Sequence, residues 1–422
     1  MIFFIYQTLI LFIVILSPLI IIYRILKNKE DKKRFKEKFT IFSKKRDRGN
    51  IVWFHASSVG EILSIVPLIE KLENNKSIKK ILVTSSTLSS SYIFSKIRLK
   101  KTIHQFFPID LNFFANRFVK YWKPSIAIFV ESEIWPGIFL QLKKKSIPLI
   151  LLNARITKKT FRKWSKIKKF SIQIFSNIKT AYPQNSETSE YLKKLGVKKI
   201  KTIGNLKFTE SKLDKKNFLK NNYDKNFKNR AVWCAASTHP DEEIICAKVH
   251  LLLKKNIKNL LTIVIPRHIH RRKEILDQLN NYKLNIVCQS SNQKIKKNTD
   301  IFLIDSFGET KKFYSLSNTV FLGGSLIKHG GQNPLEPARL GKSIIHGPNI
   351  DNFKEVYNIL DSRKISFKAR NISQLASSVK KLINPSKNDK NKYVKIREIG
   401  NSILNKTVNE INNLIKNETK KT

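Results

Sequence analysis

Acidic side chains are scarce in this chain. Its 422 residues carry 31 Asp and Glu against 81 Lys and Arg, a formal net charge of +50. The basic residues are spread along the sequence, with no aromatic-basic RNA motif and no DNA-reading module beside them. A membrane-tethered nucleic-acid-binding protein is therefore disfavoured, and no nucleic-acid partner is expected. What remains is a surface suited to phosphate-bearing membranes or ligands. Cysteine is sparse as well. Cys234, Cys246 and Cys288 are widely spaced and form no C-x-x-C pair, which argues against a disulfide framework or structural zinc and suits a reducing compartment. Neither a Walker A loop nor a G-x-G-x-x-G fingerprint occurs, so ATP hydrolysis and NAD binding lose support. No short-period repeat is visible.

One absence is local. Ile2 to Tyr23 contains no charged residue. As a helix it spans about 30 Å, enough to cross a bilayer. No basic region precedes it and no small-x-small cleavage site follows, so it reads as a retained anchor. Arg24, Lys27, Lys29, Lys32, Lys33 and Arg34 crowd its downstream side. By the positive-inside rule the expectation is a single N-terminal pass with the rest of the chain cytoplasmic. The alternative is a hydrophobic hairpin lying in the membrane interface. Either way, about 1 kcal/mol per nearby Lys or Arg holds the body to anionic headgroups.

Short apolar runs then alternate with helical patterns. Ile51–Phe54, Ile81–Thr84, Ser125–Val130, Pro148–Leu152 and Thr180–Tyr182 form one series. Ala231–Ala236, Leu261–Ile265, Ile301–Ile304, Thr319–Leu322 and Ser343–Ile345 form a second. Continuous apolar strands separated by helices indicate parallel sheets covered on both faces. The expected class is α/β, with two Rossmann-like doubly wound domains facing across a cleft. The expected divisions are a transmembrane anchor at 1–26, a basic linker at 27–48 and a first domain at 49–208. An interdomain linker at 209–228, a second domain at 229–393 and a C-terminal helix and tail at 394–422 complete the chain.

Several strand ends carry chemistry. His55-Ala-Ser-Ser-Val-Gly-Glu61 places a carboxylate at a strand-to-helix turn, where substrates come close to backbone donors. Ser58 to Glu61 also fits a capping box, with Ser58 as N-cap and Glu61 at the third helical position. Glu131-Ser-Glu133-Ile-Trp-Pro136 sets two carboxylates beyond a buried strand, a costly arrangement without partners such as Arg155 or Lys207. Lys207 ends Gly204-Asn-Leu-Lys. Arg267, in Pro266-Arg-His268, suits bidentate pairing with phosphate, while the nearby His270, Arg271 and Arg272 could instead form an exposed basic helix start. His268 and His270 alone make a poor metal site, so no metal is expected. Phe307-Gly308-Glu309 follows another strand and reads as a base contact or an ordinary loop. Gly323-Gly324 and Gly330-Gly331 lead to Asn333, a good N-cap, and Pro334, suited to the first helical position. This reads as an anion site, with Glu336 available to ribose hydroxyls, or as a glycine turn with an ordinary cap.

Taken together, in order and approximate spacing, these motifs resemble the 3-deoxy-D-manno-octulosonic acid (Kdo) transferases of lipopolysaccharide assembly. The resemblance covers nearly the whole chain. It implies a GT-B glycosyltransferase that moves Kdo from CMP-Kdo to a lipid A precursor, lipid IVA, at the cytoplasmic face of the inner membrane, with no cofactor. It assigns Glu61 as the catalytic base, with Glu131 and Lys207 stabilising the transition state. It assigns Pro266, Arg267, Phe307, Gly308, Glu309, Asn333, Pro334, Leu335 and Glu336 to CMP. Gln332 departs from the family's histidine, and Ser132 from its frequent threonine. The competing enzyme reading is a membrane-associated GT-B transferase using a UDP-sugar.

Overall fold

The computed structural model describes every residue except 98, 211–226, 228–229, 292, 385–388 and 420–422. Most of the expected linker at 209–228 thus lies outside the described residues. The chain divides into two compact units, 1–213 with 400–422, and 214–399.

The first unit opens with helix α1, Ile2–Leu26, and a 3₁₀ turn, Arg34–Phe39. Its sheet contains β1 (Ile51–His55), β2 (Lys80–Ser85), β3 (Thr102–Phe106), β4 (Ile126–Val130), β5 (Leu149–Ala154) and β6 (Ile178–Pro183). All pairings are parallel, in the order β3-β2-β1-β4-β5-β6. The strand order reverses between β1 and β4, and ligands of open α/β sheets bind outside the carboxyl ends at such a point. Every residue of β1, β4 and β5 is buried, as a sheet covered on both faces requires. Helix α2, Val59–Leu72, follows β1. Ser58 caps it, and Ile62, Ile65, Val66, Ile69 and Leu72 bury its apolar stripe.

The second unit has seven parallel strands. They are β7 (Ala231–Thr238), β8 (Leu260–Pro266), β9 (Ile286–Cys288), β10 (Ile301–Leu303), β11 (Thr319–Leu322), β12 (Ser343–His346) and β13 (Ser366–Lys368). Their order is β13-β12-β11-β7-β8-β10-β9, so the reversal falls between β7 and β11. The last helix runs from Asp389 to Thr419, longer at both ends than the periodic stretch Val394–Lys416. From Gly400 onward it belongs to the first unit, where Ile403, Leu404, Ile411 and Ile415 are buried and Glu410 meets Tyr182 and Lys201.

Three strands escape the sequence pattern. β3 reads Thr-Ile-His-Gln-Phe and lies at a sheet edge. β9 and β13 are three residues long and also lie at edges. Short or polar edge strands lack the continuous apolar run that marks a central parallel strand.

Candidate active site

The reversal point of the first sheet gathers one set of groups. Glu61 lies in the first turn of α2, just beyond β1. Its amide donates to Ser58 Oγ (3.3 Å), the Ser58 hydroxyl donates to Glu61 Oε1 (2.9 Å), and the Ser57 amide donates to Glu61 Oε2 (2.8 Å). The capping reading is thus realised, with the return contact made to Ser57. Capping does not exhaust the side chain. Burial pushes its carboxyl up to about 7, and the negative charge of Glu133 adds to the rise. A carboxyl titrating near neutrality is poised to exchange a proton.

β4 delivers Glu131 to the neighbouring strand end. Its backbone is left-handed, with φ +57°, a strained conformation for a residue with a Cβ. Pairing on both sides holds it there. Its amide donates to Leu152 O (2.9 Å), and the Arg155 amide donates to its carbonyl (3.2 Å). Its side chain is buried, and Lys207 Nζ lies 2.6 Å from Oε1, a charge contact without hydrogen-bond direction. Of the two cations expected near this carboxylate, Lys207 meets it, and Arg155 gives its backbone amide to the Glu131 main-chain carbonyl. Lys207 sits on a 3₁₀ turn, Leu206–Phe208, whose first amides donate to Asn153 Oδ1 and Asn205 Oδ1.

In the sequence His55 stands in a motif without a role, and Glu133 stands only as one of two strand-end carboxylates. Here they form one network. The His55 ring is fully buried, stacked on Phe107 at 3.8 Å, and burial lowers its pKa. Its Nε2 lies 3.1 Å from Glu133 Oε2, to which Trp135 Nε1 also donates at 2.8 Å. Glu133 is thereby held where its charge acts on Glu61. A histidine ending an apolar strand, with Glu and Trp at i, i+2 beyond the next strand, was the available signal.

Asp110 supports the same loop from behind. Its carboxylate accepts from the amides of Gly137 (2.8 Å) and Ile138 (2.7 Å), at the start of helix α3, Pro136–Lys144. It also accepts from Tyr6 Oη of α1 (2.7 Å). Burial raises its carboxyl to about 6.

The second sheet has its own cluster at the ends of β7, β8 and β11. Pro266 closes β8 and is buried. Arg267 follows it, exposed, its amide donating to Thr238 O (2.9 Å). The His239 ring lies 3.9 Å from that of His329 and 6.0 Å from that of His268. Burial, then His329, His268, Arg267 and Arg271, push its pKa down to about 4. The cluster is a positive field built from several elements.

In the sequence Gly323-Gly324 and Gly330-Gly331 lead to an anion site at a helix start, or form a glycine turn with an ordinary cap. The amides of the first pair's turn are not left for that site. Those of Gly324 (2.6 Å), Ser325 (3.2 Å) and Leu326 (3.1 Å) donate instead to the carboxylate of Glu242, which also accepts from His239 N (3.1 Å). Glu242 is completely buried and acts as an internal anion. Nothing local in the sequence marks it, because an acidic residue in a helical first turn usually reads as a dipole partner. The turn needs glycine for space: a Cβ on Gly323 would stand 2.4 Å from Ser237 O.

The cap near Asn333 also differs. The helix there is Leu335–Arg339, only five residues, and Pro334 precedes it. Asn333 Oδ1 still accepts from Leu335 N (3.1 Å). Pro334 and Leu335 are buried, Glu336 is half-buried and Asn333 is exposed. Gln332 joins this segment to the histidines, its Nε2 3.1 Å from His239 Nε2, while Tyr357 Oη donates to its carbonyl (2.9 Å). Phe307, Gly308 and Glu309 follow β10, one strand beyond β8 and outermost of the set. Phe307 is 80% exposed, Gly308 is left-handed (φ +84°) and Glu309 pairs with Lys312 at 3.1 Å. Among the described residues no three His, Cys, Asp or Glu are grouped to hold a metal ion.

Residues 33–210 match the sequence model of the 3-deoxy-D-manno-octulosonic-acid transferase (kdotransferase) family. The chain is 34% identical over 369 residues to a 3-deoxy-D-manno-octulosonic acid transferase of Rickettsia bellii, covering 87% of each. Another, from Haemophilus influenzae, is 32% identical and covers 73% of each. A glycosyltransferase structure from Rickettsia africae, 12% identical, superposes with TM-score 0.58 over 88% of this chain and all of that one. A UDP-GlcNAc 2-epimerase from Neisseria meningitidis, 11% identical, gives TM-score 0.58 over 87% of this chain and all of that one. These two share the GT-B type of fold alone. The sequence relatives go further: this chain belongs to the 3-deoxy-D-manno-octulosonic acid (Kdo) transferase family.

Proposed function

We propose that this transferase takes Kdo from CMP-Kdo and attaches it to a sugar hydroxyl of a phosphorylated lipid A precursor, lipid IVA, with inversion and without a bound metal. Glu61 removes the acceptor proton as the hydroxyl attacks the anomeric carbon. Glycosyl transfer develops oxocarbenium-like charge, and carboxylates nearby stabilise it. Glu131, fixed by Lys207, has that role. Lys207 supplies the compensating positive charge. Arg267 neutralises the departing CMP phosphate, a preorganised anion contact. Pro266, Phe307, Gly308, Glu309, Asn333, Pro334, Leu335 and Glu336 shape the nucleotide site around it. The exposed cations hold the body at an anionic membrane surface, the cytoplasmic face of the inner membrane, where the acceptor resides.

The observation that carries this reading is the Glu61 carboxyl, raised to about 7 at a sheet reversal point beside a second, lysine-paired carboxylate. The test incubates detergent-solubilised protein with CMP-Kdo and tetraacylated lipid A precursor and weighs the lipid by mass spectrometry. A gain of one or more Kdo masses is expected, with CMP and not UDP raising the melting temperature. Glu61→Gln should lose transfer by about 10²–10⁴-fold while CMP protection persists. Full activity in that variant refutes the base assignment, and no mass gain with CMP still bound refutes the acceptor.

A further inference from the structure

Helix α1 is long and apolar enough to cross a membrane, yet both of its ends are fastened to the same unit. At its start, Tyr6 Oη donates to Asp110 and Gln7 Nε2 donates to the Asp110 carbonyl (3.1 Å). The Asn112 amide donates back to Gln7 Oε1 (2.6 Å), and Phe3 lies 6.4 Å from Phe170, ring to ring. Beyond its other end, Arg34 reaches the His104 carbonyl (2.9 Å) and Ser91 Oγ (3.2 Å), and Glu37 accepts from Phe106 N (2.8 Å). A helix of 25 residues is about 37 Å long. If it crossed, Tyr6 and Gln7 would stand about 30 Å of hydrocarbon away from the face carrying Arg34. One globular unit does not hold both ends in that arrangement.

The exposure pattern agrees along the whole length. Phe3, Gln7, Ile10, Val14, Ser17 and Ile21 are half-buried or buried, at the three- and four-residue spacing of one helix face. The remaining faces are exposed and apolar: Phe4, Leu9, Phe12, Ile15 and Leu19 are 58–74% exposed. Lysines flank both ends. Lys27, Lys29, Lys32 and Lys33 are exposed after the helix. A surface hollow lined by Asn112, Phe113, Lys144 and Lys145 adjoins its beginning. Cations at both ends of an apolar rod suit anionic headgroups on one side of a bilayer.

The geometry points to a monotopic attachment. Helix α1 lies lengthwise between the first unit and the lipid, its inner stripe on protein and its outer faces in the acyl boundary of one leaflet. Both of its ends stay on the side of the membrane that carries the catalytic units. This replaces the crossing that length and hydropathy alone suggest.

The test uses the full chain in native membrane. A cysteine inserted between Met1 and Ile2 is compared with Lys194→Cys on the exposed body. The native cysteines are all buried, which keeps background labelling low. An impermeant maleimide should reach both positions from the same side only, and neither from the opposite one. Gln7→Cys with Asn112→Cys should be joined by a short bifunctional thiol reagent in those membranes. Labelling of the inserted cysteine from the side opposite Lys194→Cys overturns the proposal, as does failure of the pair to crosslink.

Discussion

Exchanging Glu133 for glutamine should move the acid limb of the pH–rate profile. The Glu61 carboxyl titrates near 7 because burial disfavours its charge and because Glu133 adds a second negative charge nearby. Glutamine removes that charge and keeps an acceptor oxygen for Trp135 and His55. Burial, the larger cause, remains. The Glu61 pKa should therefore fall by about one pH unit, roughly 1.4 kcal/mol of relative ionisation energy. At pH 6 the ionised fraction of Glu61 would rise from about one tenth to about one half. The ratio of kcat/KM at pH 6 to that at pH 8 should then rise about fivefold, whatever the variant loses in absolute rate. The assay is transfer of labelled Kdo to detergent-dispersed acceptor across pH 5 to 9, fitted for the acid midpoint. A midpoint that stays put, or moves upward, refutes the idea that Glu133 tunes the base through its charge.

Lys207→Met leaves the buried Glu131 carboxylate unpaired, so urea denaturation should show a loss of about 3 kcal/mol. Adding Glu131→Gln should restore most of that stability and none of the transfer activity. Glu242→Ala strands four amides, three of them buried, and should cost about 3 kcal/mol or more, with CMP protection against thermal unfolding lost. Asp110 is fully buried and titrates at about 6, above the ordinary value of 3.8, so the native state binds its proton more tightly than the unfolded chain. Its contribution is complete below pH 3.8 and lost as pH rises through 6. Urea denaturation between pH 3 and 8 should show the parent losing about 3 kcal/mol relative to Asp110→Asn.

Central strands were legible because burial on both faces leaves an unbroken apolar run, as in Ile126–Val130 and Thr319–Leu322. The pairing order was not, since local sequence does not say which strands neighbour each other, and that order places Glu61 beside Glu131. Lys207 was hard to single out among so many lysines. Its contact with Glu131 shows only once Asn153 and Asn205 fix the turn that aims it. The glycine turn misled for a related reason. Spacing marks where amides converge, but the anion they meet, Glu242, lies 82 residues from Gly324 in sequence. His55 and Glu133 sat in plain view within motifs, and only the distance between them reveals the pair.

The Oδ2 atom of Asp110 receives both Tyr6 of the first helix and the amide of Gly137 that ends the loop carrying Glu133 and Trp135. Shortening the chain to obtain a detergent-free enzyme would therefore remove more than grease. Without Tyr6 and Gln7 the Asp110 peg opens to water, and the loop that positions the charge beside Glu61 loses part of its foundation. A trimmed protein would keep both sheets and bind nucleotide while turning over poorly. Its slowness would look like a missing membrane when it is a missing brace.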